Sequence, residues 1–156
     1  MPGARDPHAR TYERLGAHRF GWLAEPLVEE ASFVLRPMFG SLGCYLHGRL
    51  MLILADRRPP WCGLLVPTER AAQASLRAEL PALHVHAVLS KWLHLPEAAE
   101  DFEAVGERLV RLALLNDARL GVEPRPKRRS VPSMGRVRAK PGGRPGGRPK
   151  GRPASR

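Results

Sequence analysis

Apolar residues recur along the first 124 positions in two rhythms, one helical and one of period two. Tyr12, Leu15, Trp22 and Leu23 fall near one face at helical spacing and predict a helix from a Thr11 cap to about Glu25. Gly16 and Gly21 weaken it, and Pro26 ends it. Phe33 and Leu35 then alternate against Val34 and Arg36, which predicts a strand over residues 32–39 with Pro37 at an edge or an end. Residues 40–43 read as a turn. Residues 44–46 and 49–55 flank His47-Gly48, a two-residue hairpin connection. The run Leu50-Met51-Leu52-Ile53-Leu54 is apolar without alternation, so this strand is expected to be covered on both faces. A further strand is expected at residues 61–66.

Thr68 is placed to cap a helix over residues 69–80, with Ala72, Leu76 and Leu80 along its buried side. Residues 83–95 are expected to hold one or two short strands, the clearer being the alternating Lys91-Trp92-Leu93-His94-Leu95. A last helix over residues 99–116 carries the stripe Phe102, Val105, Leu109, Leu112 and Ala113, with Glu107 and Arg111 paired on its outer side. This order of elements predicts an α+β fold, an antiparallel sheet of about four to five strands with helices packed on it. Residues 1–10 are expected to be frayed, and residues 11–124 to form one domain.

Charge changes the picture at residue 125. Residues 1–124 hold 14 Lys/Arg against 15 Asp/Glu, whereas residues 125–156 hold 12 Lys/Arg and no acid. The chain's net charge of +11 therefore belongs to its last fifth. That segment has six Pro, six Gly and only Val131, Met134 and Val137 as large apolar side chains, too few to offset chain entropy, so a disordered tail is expected. Such an imbalance concerns partners and not the fold. The absence of an apolar run near 20 residues argues against a membrane span, and the charged first 25 residues against a secretory leader. A cytoplasmic protein with reduced thiols is the expectation.

Met38-Phe39-Gly40, preceded by Arg36 and followed by Gly43 and Tyr45, is the most specific motif in the domain. Its glycines suit a turn of positive φ or close backbone approach, and Met38 and Phe39 are expected to anchor the turn in the core. The motif and the hairpin after it resemble the N-terminal domain of the TfoX/Sxy family of competence regulators, over roughly residues 12–122. That resemblance implies an α+β fold, no catalytic reaction, and a role as an accessory regulator of transcription or competence that meets a protein partner through its core. The chain has the basic tail where the better-known regulators have a helical domain.

Catalytic chemistry has few candidates. Cys62 with Asp56 and one of His84, His86 or His94 contains the residue types of a nucleophile and base, but their spacing alone does not assemble them. His84 and His86 on one strand face would need Cys62 or His94 to complete a zinc site. Half-exposed strand histidines are the simpler account, and no catalytic residue, cofactor or metal is assigned. Trp61 and Trp92 read as core or interface aromatics.

The tail carries the clearest chemistry. Lys127, Arg128 and Arg129 form a cluster, Arg136, Arg138 and Lys140 follow, and Arg144, Arg148, Lys150 and Arg152 lie in a repeat of period four built on Gly-Arg-Pro. At about 3.1 Å per extended residue, successive repeat arginines stand about 12 Å apart, far enough for each to meet a different phosphate. The repeat resembles the AT-hook, whose arginines enter narrow minor grooves, most nearly at Lys150-Gly151-Arg152-Pro153. Nucleic acid is the expected partner, DNA favoured over RNA. Two other readings stay open: a protein-interaction module with an incidental solubilising tail, and a thiol or metal enzyme built around Cys62.

Overall fold

The apolar run at residues 50–54 lies in the third strand of a six-stranded sheet, and both its faces are covered. The computed structural model describes residues 6–124; the tail expected at residues 125–156, with its ten proposed contact residues, lies outside them. In chain order the elements are α1 (Ala9–Ala17), α2 (Gly21–Ala24), a 3-10 turn (Glu25–Leu27), β1 (Val34–Met38), β2 (Ser41–Leu46), β3 (Arg49–Asp56) and β4 (Cys62–Pro67). Then come α3 (Arg70–Glu79), β5 (His84–Val85), β6 (Trp92–Pro96) and α4 (Phe102–Leu114). The sheet is antiparallel throughout in the order β1-β2-β3-β4-β6-β5. The fold is α+β.

The helices lie against one face of this sheet. Leu15, Leu23, Leu27, Leu76 and Leu109 from the helical segments close over Leu52, Leu54, Leu64, Leu93 and Leu95 of the strands, all of them buried. Their burial supplies the main drive to fold, at roughly 25 cal/mol per Å² of apolar surface removed from water. On the other face Leu50, Ile53, Ala55 and Leu65 form a smaller cluster with Met38, Tyr45, Trp61 and Trp92. Met51 is the extra residue of a bulge: Cys44 pairs with Leu52 and Tyr45 with Leu50, which leaves Met51 unpaired. Met51 thereby joins the helix-side core, although strict alternation would send it to the other face.

Several boundaries shift for local reasons. α1 begins at Ala9, not Thr11, because Asp6 Oδ1 accepts the His8 N–H at 2.9 Å and turns the chain earlier. The helix also breaks after Ala17: His18 Nδ1 accepts the Phe20 N–H at 3.1 Å, and the chain restarts as α2. Thr68 donates its hydroxyl to the Glu69 carbonyl at 2.8 Å and does not cap α3, whose N-cap position is Glu69. α4 stops in a Schellman arrangement, with Asn116 at φ 51° and the Asp117 N–H bonded to the Leu112 carbonyl at 3.0 Å.

Candidate functional site

Both hairpins of the β1-β2-β3 meander turn through two residues of positive φ, as type I′ connections require. His47 and Gly48 join β2 to β3; Phe39 (φ 49°) and Gly40 (φ 75°) join β1 to β2, with Met38 paired to Ser41. The turn therefore ends at Gly40. Gly43 lies inside β2, where Met38, Tyr45 and Leu50 close over the space a side chain would fill.

Phe39 overturns one expectation. It is 89% exposed and anchors nothing in the core, because a turn this tight has no inward-facing position to offer its ring. Met38 is half-buried in the small outer cluster, as an anchor should be. Tyr45 is also in that cluster, with the Arg36 guanidinium 5.5 Å from its ring centre.

The exposed phenyl stands at the rim of a groove of about 910 Å³ on the helix-free face. Ile53 and Leu65, register partners on β3 and β4, line its base with Met38 and Ser41. Trp61, Trp92 and Leu89 supply further wall, and Asp56, Arg57 and Arg58 line its β3–β4 side. Arg57 donates Nη1–H to the Phe39 carbonyl at 3.1 Å, tying the loop to the turn. The loop is closed by the Arg57 N–H on the Trp61 carbonyl and the Trp61 N–H on the Arg58 carbonyl, both 2.9 Å. Asp56 pairs with Arg19 at 3.7 Å, and Arg19 also bonds Glu97. Among the described residues neither Arg57 nor Arg58 has a carboxylate partner, so the net charge left at the rim is positive. Sequence reasoning missed Arg57, Arg58 and Ser41, although Arg57-Arg58-Pro59-Pro60-Trp61 sets paired cations beside an aromatic in plain view.

His86 and His94 are brought together and hydrogen-bonded, whereas Cys62 packs against the helix-side core. His86 is 2% exposed rather than half-exposed: Nδ1 accepts the Val88 and Leu89 N–H groups at 3.1 and 2.9 Å, and Nε2–H donates to the Pro60 carbonyl at 3.0 Å. Its ring sits 4.5 Å from that of Trp61 and 5.4 Å from that of His94. His94 is also buried and donates Nε2–H to the Cys62 carbonyl at 2.9 Å. His84, paired with His94 across β5 and β6, is exposed. Burial raises the Cys62 thiol pKa and the nearby Glu97 raises it further, the opposite of what a thiolate nucleophile needs. Cys44, fully buried, is pushed up to about 12. Among the described residues no three His, Cys, Asp or Glu converge as a metal-binding group.

Burial lowers the pKa of both His94 and His18 below the ordinary histidine value of about 6.5. His84 and His86 reinforce the shift at His94, while Asp56 opposes it at His18. The unfolded chain therefore binds protons that the folded chain refuses, and stability falls as pH drops below about 6.5. Urea midpoints at pH 7.5 and 5.5 check this: the lower pH is expected to give the lower midpoint, and His94→Gln to narrow the gap. An unchanged or higher midpoint at pH 5.5 would contradict the assignment.

Comparison with protein-family models, with curated proteins and with solved structures found no match. No helix among the described residues is long and apolar enough to cross a membrane.

Proposed function

We propose that this chain is a non-enzymatic, TfoX-like binding protein that attaches to nucleic acid through residues 125–156, acting as an accessory regulator of transcription or competence. One observation carries the reading: 12 cations and no acid in the last 32 residues, beside a domain with 14 cations and 15 acids. A polyphosphate is the partner such a segment attracts most strongly, because every neutralised phosphate releases counterions. The raised Cys62 thiol and the hydrogen-bonded Nε2 atoms of His86 and His94 support a binding role over thiol or metal catalysis. In this reading the tail holds the nucleic acid in the cytoplasm while the domain meets a protein partner.

The test compares the full chain with a chain ending at Pro124 for binding to a mixed-sequence duplex at low salt. The full chain is expected to bind at least a hundredfold more tightly, since phosphate contacts supply nearly all non-specific affinity. Equal affinities would leave the tail as a solubilising segment and the domain as a protein-interaction module.

A further inference from the structure

Phe39 is disfavoured twice where it stands. Its backbone lies in the left-handed region, which bulky side chains avoid, and its ring is 89% exposed to water. Asparagine or glycine would serve the turn better, so neither local conformation nor core packing explains a phenylalanine there. A ligand that covers the ring would. The groove beside it is of the size that binds small ligands or a few ligand units, with an apolar base and aromatic walls. Its polar equipment is mostly of one sense. Arg57 and Arg58 have no carboxylate partner among the described residues, and Trp61 and Trp92 line the groove with them. Asp56 alone is an anion, and Arg19 holds it. The complementary ligand is flat, rich in acceptors and negatively charged.

We propose that this groove takes single-stranded nucleic acid, a base stacking on Phe39 and the flanking phosphates meeting Arg57 and Arg58. A strand without a complement offers such bases, whereas a duplex keeps its own stacked inside. An acidic peptide would satisfy the arginines, but the polyphosphate-seeking tail on the same chain favours nucleic acid. The inference rests on the nucleic-acid reading above and adds to it a site that discriminates bases from bare phosphate.

The experiment uses the full chain, with dodecathymidylate and an abasic dodecamer of the same phosphate count at one salt concentration, read by fluorescence anisotropy. The tail contributes to both alike, so their affinity ratio isolates the groove. Wild type is expected to prefer the thymidylate about tenfold, near the low end for base–aromatic stacking. Phe39→Ala is expected to bring the ratio to about one while leaving abasic binding unchanged, and Phe39→Tyr to keep the preference. Equal binding of both probes by wild type, or a preference that survives Phe39→Ala, would overturn the groove site and leave the tail reading standing. Binding of neither probe would overturn both. A Glu/Phe peptide bound in a Phe39-dependent way, with no base preference, would make the groove a protein-docking surface and overturn the proposal.

Discussion

Raising salt from about 50 to about 200 mM is expected to weaken duplex binding by the full chain about a thousandfold. Residues 125–156 carry 12 cations and no acid. If about six replace counterions, the logarithm of the binding constant falls against the logarithm of salt with a slope near −5. A fourfold rise in salt then costs about three orders of magnitude. Isothermal titrations at four or five salt concentrations give the slope, which counts the phosphates engaged. Replacing Arg144, Arg148 and Arg152 together by Ala is expected to make it shallower by about three. A slope near zero in the unaltered chain would remove the electrostatic basis of the proposed function.

Gly63→Ala is expected to destabilise the domain by about 3–5 kcal/mol, a large part of what a domain of this size has in hand. Gly63 sits in β4 at φ 122°, where L side chains are strained, and a Cβ placed on it would lie 2.1 Å from the Leu95 carbonyl oxygen of β6. The strand pair cannot part locally, because the neighbouring Leu64 and Leu95 are both sealed in the core. Strain and overpacking each contribute about 1–3 kcal/mol. Gly48→Ala is the control: its φ is 74°, yet nothing lies within 4 Å of the added carbon, so only the backbone term applies. Urea denaturation of the two variants is expected to show the first far below the second. Equal midpoints would mean that β4 and β6 do not approach so closely at Gly63.

The elements that depend on near neighbours were legible. His47-Gly48 stands between two apolar strands and turns as a hairpin, and the unbroken run at residues 50–54 is covered on both faces. Legibility failed where side-chain chemistry and backbone geometry pull apart. An apolar Met38-Phe39 pair reads as two anchors, but the two-residue turn sends only Met38 into packing. The bulge at Met51 has no local signal, since it is a mismatch in length between two strands. β5 is only two residues long and rests on its register with β6, which no periodicity encodes. The groove needed still more: its lining comes from the β1–β2 turn, the β3–β4 loop and β6, residues up to 54 positions apart that only the assembled sheet brings together. Arg57 and Arg58 were visible as charges, but their missing partners are a property of the fold.

Pro37 has a consequence for crowding. The turn after β1 is closed by the pair Met38 and Ser41, so the next pair, Pro37 with Leu42, falls at a non-bonded position of the ladder. The ring nitrogen of Pro37 therefore faces the free side of β1, the outermost strand of the sheet, where any other residue would offer an amide hydrogen. Many copies held side by side on one polyanion would bring such margins together at high local concentration. With a donor missing from the row and the Arg36 charge beside it, the β1 margin is a poor template for pairing with a neighbour's strand.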